Sequence, residues 1–148
     1  MKPLSFTEAD VRGHTTEKVF GRGGDYCKAG QVLSLIRRGD VLQAAVEGSE
    51  DEPYLVSVTF SSNGIQDAEC DCPYGEEWDG WCKHIVAALL LCLESPGEIE
   101  ERPALQTLLS GLDRAQLQTL VQKLAKDNLS LLNEIEAQVT RLTRKQKP

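Results

Sequence analysis

Between Gln31 and Cys70 the apolar positions follow a two-residue period. It is clearest from Tyr54 to Ser61, where Tyr54, Val56, Val58 and Phe60 share one face and Leu55, Ser57, Thr59 and Ser61 the other. That is the pattern of a strand half buried on a core. Val32 to Arg37, Val41 to Glu47 and Ile65 to Cys70 are similar stretches rich in branched residues. Turn formers bound them at Arg38-Gly39-Asp40, Gly48 to Pro53 and Ser61 to Gly64. The spacing predicts a small antiparallel meander of four strands, the last of which ends on Cys70.

On either side of the meander the pattern is helical. Ser5 to Gly30 reads as helix and turn, with Ser5 and Thr7 as candidate caps and Val19 and Phe20 preceding the glycine-broken Gly21-Arg22-Gly23-Gly24. Lys83 to Leu93 is an unbroken helix-forming run closed by Ser95-Pro96-Gly97, and its composition predicts a buried helix. Pro103 and Gly111 then bracket a short helix over Ala104 to Ser110. Asp113 is placed to cap another helix, in which Leu117, Leu120, Val121 and Leu124 recur at helical spacing. After Asp127-Asn128 a last helix carries Leu132, Ile135, Val139 and Leu142. The expectation is an α+β chain: residues 1–99 form an α/β segment with a finger core at 68–94, and residues 100–148 end in a helical hairpin. The two leucine stripes suit a core or a dimer seam better than a cofactor site.

Length and charge narrow the function classes. A chain of 148 residues suits one domain, or one domain with a helical appendage. The longest apolar run, Ile85 to Leu93, is too short to span a bilayer, and Met1 to Asp10 lacks the plan of a signal peptide, so the expected setting is soluble and cytoplasmic. The net charge of -7 is unevenly spread, at +1 over residues 1–49, -12 over 50–101 and +4 over 102–148. In the middle segment Lys83 is alone against thirteen acidic residues, which repels a phosphate backbone.

Five cysteines form no even disulfide framework, and four of them lie between Cys70 and Cys92. Cys70 and Cys72 are one residue apart; nine residues later come Cys82 and His84, also one residue apart. Zinc takes four such donors in a tetrahedron, and two close pairs complete it with a single loop to order. Pro73 and Gly75 turn the chain out of the first pair, Gly80 brings it back, and Trp81 offers an apolar shield for the thiolates. Three thiolates and an imidazole leave no open position, so the ligand count indicates a structural site with one Zn2+. Buried core cysteines would have no reason to pair twice around a turn-rich loop. A dithiol redox motif would need two intervening residues.

Other residues carry two readings each. Trp78, among Glu76, Glu77 and Asp79, either anchors a partner or folds back over the finger. Lys83 neutralises the thiolates or touches a phosphate. Arg22 pairs with a carboxylate and pins a loop, or binds a ligand. His14 reads as an ordinary surface histidine. Cys92 belongs to the apolar helix, and Cys27 is an outside candidate for a fifth ligand.

At Cys70, Cys72, Cys82 and His84 the chain resembles the SWIM zinc-finger family. The likeness extends through Cys72-Pro73-Tyr74 and Cys82 to Leu90. Upstream, Phe20, Arg22-Gly23, Tyr26, Gly30, Val32, Ala45-Val46, Gly48-Ser49 and Tyr54-Leu55-Val56 resemble the segment that precedes the finger in bacterial members. Cys27 departs from the pattern, which has an aromatic there. The resemblance covers roughly residues 16–94 and implies zinc at the four ligands. It also implies a module that contacts DNA or proteins, of the kind found in chromatin-remodelling-type ATPases, transposases and ubiquitin-pathway proteins. Residue chemistry favours a protein partner. DNA binding would require Arg37, Arg38 and the basic run from Arg141 to Lys147 to line one face. No triad, phosphate loop or open metal site indicates an enzyme.

Overall fold

The computed structural model describes residues 4–73 and 80–144. Two short helices come first, α1 (Glu8–Arg12) and α2 (Glu17–Lys28). Thr7 caps α1 in a capping box with Asp10, and Thr16 Oγ1 accepts from Val19 N–H at the start of α2. The predicted meander follows as β1 (Val32–Arg38), β2 (Val41–Val46), β3 (Tyr54–Ser61) and β4 (Gly64–Cys70), each antiparallel to the next. Helix α3 (Lys83–Glu94) lies against the sheet, and a 3-10 turn (Pro96–Glu98) leads to β5 (Glu100–Arg102).

The alternation along β3 holds: Tyr54, Val56, Val58 and Phe60 are buried, while Leu55 is 61% exposed. Val56, Val58 and Phe60 meet Leu35, Leu42, Ala44 and Val46 from the neighbouring strands and Ile85, Val86, Ala88, Leu89 and Cys92 from α3. Each such aliphatic side chain contributes on the order of 1.5 to 3 kcal/mol by leaving water. Seven residues of α3 are buried, which accounts for its near absence of a polar face.

Two features depart from the sequence reading. Gly21-Arg22-Gly23-Gly24 does not break a helix but lies inside α2. A Cβ on Gly23 would fall 2.4 Å from Val86 Cγ1, so the glycine is there to let α2 approach α3 closely. The sheet also has a fifth strand. β5 pairs parallel with β1, giving the order β4-β3-β2-β1-β5. Its sequence, Glu100-Glu101-Arg102, shows no alternation, and it is held by side chains of its neighbour. Arg37 Nη1 lies 4.0 Å from Glu101 Oε1, and Arg38 Nη1 donates to Pro103 O at 2.8 Å.

The chain divides into two compact units, residues 1–104 and 105–148. The second contains α4 (Leu105–Ser110), α5 (Arg114–Asp127) and α6 (Leu129–Arg144). Asp113 caps α5 as its sequence implies, in a reciprocal box with Gln116. Contacts between α5 and α6 make the expected hairpin, yet none of the three helices has a buried residue.

Candidate metal centre

Strand β4 ends on Cys70, whose Cα partner on β3 is Val56. Asp71 fixes the exit: its N–H donates to Leu55 O at 3.2 Å, and its Oδ1 accepts from Leu55 N–H at 2.8 Å. Cys72, two residues past the strand end, is buried. The second pair arrives from the opposite direction. Cys82 is the N-cap residue of α3 and His84 lies in its first turn. A sheet end and a helix start are thereby brought together from residues distant along the chain.

All four ligand atoms lie within 4.8 Å of one another. His84 Nδ1 is 3.8 Å from Cys70 Sγ and 3.7 Å from Cys82 Sγ. Bond lengths of about 2.3 Å to sulfur and 2.0 Å to nitrogen give tetrahedral edges of roughly 3.5 to 3.8 Å, so these separations suit zinc. Nδ1 is the nitrogen turned toward the sulfurs, while the buried Nε2 has no hydrogen-bond partner among the described residues. The imidazole is held by rings instead: Tyr54 is at 4.6 Å between centroids and Tyr26 at 5.6 Å, edge on. A Cβ on Gly48 would strike the Tyr54 ring at 2.4 Å, so glycine at that position leaves room for the tyrosine beside the ligand.

The electrostatics agree with the donor set. The hydrogen bond between Cys70 and Cys82 is the first cause of both their shifts, raising the Cys70 thiol and lowering that of Cys82. Burial reinforces the rise at Cys70 and opposes the fall at Cys82, and the facing His84 lowers Cys82 further. Two half-buried sulfurs that must share a proton are a pair for which a divalent cation can substitute. The protein holds one structural zinc through Cys70, Cys72, Cys82 and His84. With three thiolates and a neutral imidazole, the centre carries a formal charge of about -1.

The residues around the centre sort differently from their sequence readings. His14 is exposed, but it stacks on Trp81 with centroids 4.1 Å apart. Its carbonyl accepts from Trp81 N–H at 2.9 Å, and Thr15 Oγ1 donates to Trp81 O, also at 2.9 Å. The loop between α1 and α2 therefore grips both sides of the Trp81 peptide. Gly80, at φ +127, allows this approach, because a Cβ there would lie 2.8 Å from His14 O. Nothing in the local pattern at His14-Thr15 signals the contact, which spans more than sixty residues of chain. Lys83 Nζ sits 4.8 Å over the Tyr26 ring. Arg22 forms no ion pair with a described carboxylate; it lines a cavity of about 230 Å3 with Lys18, Val19, Trp81 and Lys83. Cys27 is no fifth ligand, since its thiol faces Glu94 Oε2 at 3.5 Å, roughly 15 Å along α3 from His84. Tyr74, Gly75 and Trp78 lie outside the described residues.

Residues 54–93 match the family model of the SWIM zinc finger. A Drosophila melanogaster protein, zinc finger SWIM domain-containing protein 8 homolog, is 29% identical over 126 residues. The alignment covers 81% of this chain and 6% of that protein, so the chain spans a small part of the relative's length. No solved structure matches significantly.

Proposed function

We propose that this chain, whose residues 54–93 form a SWIM zinc finger, is a non-catalytic interaction module that contacts other proteins in the cytoplasm. The observation that carries the reading is the surface of the second unit, where Val121, Leu124, Leu132, Val139 and Leu142 are all more than 40% exposed. Apolar side chains gathered at that density are a surface for another protein. The closed ligand set supports a structural role, since three sulfurs and a nitrogen leave zinc no position for substrate. Among the described residues no helix is long and apolar enough to cross a membrane, and none of the five cysteines is joined to another in a disulfide, which suits a reducing compartment.

The competing reading is a DNA-binding module of a chromatin-remodelling-type or transposase-type assembly. It needs cations free to displace counterions. Arg37 is buried, donating from Nε to Gly39 O at 3.0 Å, and Arg38 is engaged with Pro103. Two of the arginines that DNA binding would require are thus occupied in holding the sheet edge. Anisotropy of a labelled duplex, titrated at low and physiological salt, separates the two readings. The expected result is no saturable binding at physiological salt. Micromolar binding that falls steeply with salt and survives deletion of residues 141–148 would replace the protein-contact reading with the DNA one.

A further inference from the structure

The cavity of about 230 Å3 beside the metal centre gathers three cations, Lys18 and Arg22 from α2 and Lys83 from the start of α3, and no described carboxylate lines it. Glu17, the acid next to Lys18 in the chain, is held by Arg12, whose Nη1 donates to its two oxygens at 3.2 and 3.0 Å. Among the described residues neither Lys18 nor Arg22 has an ion-pair partner, and Lys83 Nζ meets the face of Tyr26 rather than an acid. Lys18 and Arg22 stand four apart on one helix face, where like charges repel. The thiolates do not engage these cations either: Cys82 is set by Cys70, by His84 and by the Ile85 N–H.

The rest of the wall suits an anion with a carbon stem. Thr16 caps α2 here, and its Oγ1 accepts from Val19 N–H at 3.2 Å, which leaves the hydroxyl hydrogen to donate. The positive end of a helix of 12 residues therefore opens on the cavity. Val19 and Trp81 add apolar surface, and Trp81 is already fixed by His14 and Thr15, so the wall stands before a ligand arrives. Charge selects among anions. Three cations against the formal -1 of the zinc centre leave about +2. A carboxylate or one phosphodiester brings a single negative charge. A phosphate monoester brings about -1.5 to -2 at neutral pH, with three acceptor oxygens for the guanidinium, the ammonium groups and the Thr16 hydroxyl. A concave site also admits one such group rather than the row of phosphates along a duplex.

We propose that this cavity binds a phosphate monoester carried by a partner protein, a phosphorylated serine or threonine, with Arg22 and Lys18 as its principal contacts. The proposal rests on the protein-contact reading above and names the chemistry that the partner presents.

The test is an amide NMR titration of the full zinc-loaded chain with a capped glycine–phosphoserine–glycine peptide at physiological salt. Saturable shifts at residues 16–22 and 81–83 are expected, with a Kd of about 1 mM or tighter. The same peptide with glutamate in place of phosphoserine should bind about fivefold more weakly or worse, and with serine not at all. Lys18→Gln and Arg22→Gln should each weaken the phosphopeptide by about fivefold or more. Zinc should stay at one per chain and distant amides should not move, because both side chains are exposed. Lys28→Gln, the same charge change at the far end of α2, should leave the affinity as it was. No shifts at those residues, equal binding of the glutamate or serine peptide, or an affinity indifferent to Lys18 and Arg22 overturns the proposal. Inorganic phosphate bound as tightly as the peptide overturns it too, because the ligand is then a free anion. A chain that binds neither the phosphopeptide nor duplex DNA loses this site alone, and the protein-contact reading stands. An oligonucleotide with a terminal phosphate, bound more tightly than the peptide and released steeply by salt, removes both.

Discussion

At position 23 a single methyl group separates a close helix pair from a clash. A Cβ there would lie 2.4 and 2.6 Å from Val86 Cγ1 and Cβ, and Val86 is wholly buried against the sheet, so it has nowhere to yield. At Gly24 the nearest atom is Leu90 Cδ1 at 3.9 Å, an ordinary contact. Alanine favours a helix over glycine by about 1 kcal/mol at either site. We expect Gly24→Ala to be neutral or mildly stabilising in urea, and Gly23→Ala to lose about 1 to 3 kcal/mol as α2 is pushed from α3. Equal effects from the two would show that α2 does not seat on Val86. Two thiols away from the metal make a pH prediction at the same scale. Burial, with Glu94 adding to it, pushes Cys27 from 9.0 to about 11, and burial pushes Cys92 to about 12. An acid whose folded pKa is raised stabilises the fold in its neutral form. That contribution is complete below pH 9 and is lost as pH climbs toward 11 and 12. Changing both cysteines to alanine should flatten the fall in stability between about pH 9 and 11, measured against the parent chain by urea titration. An unchanged slope would mean that other groups carry it.

Elements built on strong periodicity were readable, and those made by partners were not. β3 shows its buried face in four alternating residues, and α5 announces itself by Asp113 and the helical spacing of Leu117, Leu120, Val121 and Leu124. The ligand pairs are equally legible, because a metal's demand for donors is local in sequence even when the fold joins distant segments. α2 hid behind its glycines because its reason lies in Val86, more than sixty residues on. β5 hid because three charged residues have no strand signature and depend on Arg37 and Arg38. That dependence can be tested. Arg37 is 7% exposed and reaches both Gly39 O and Glu101, whereas Arg102 pairs with Glu100 on an exposed edge. Removing a buried arginine leaves carboxylate and carbonyl unmatched, so Arg37→Ala should cost about 1 to 3 kcal/mol and speed amide exchange across residues 100–102. Arg102→Ala should change stability little. Fast exchange in both variants would show that the strand is held by its own charges.

For the whole molecule, zinc ties the end of the sheet to the start of the helix that covers it. The ligands fall at residues 70, 72, 82 and 84, all within the first unit, and α3 meets strands β1 to β4 as well as α1 and α2. Structural zinc supplies about 10 to 16 kcal/mol to finger peptides that have no other core. Here Leu42, Val46, Val56, Val58, Val86 and Leu89 form a core of their own, so removing the metal should loosen the join without erasing the sheet. Three thiolates crowded beside a buried imidazole would then have to take up protons or separate. In excess chelator we expect amide protection to be lost first at residues 66–73 and 80–88, and the thermal midpoint of the first unit to fall by ten degrees or more on the scale of about 4 to 8 °C per kcal/mol for a domain of this size. His84→Ala with zinc present should reproduce that pattern, since a three-donor site no longer closes. Protection in α5 and α6 should persist in both cases, because no ligand lies there. An unchanged midpoint in chelator would show that the core alone holds β4 to α3. Equal loss of protection in α5 and α6 would show instead that the metal stabilises both units together.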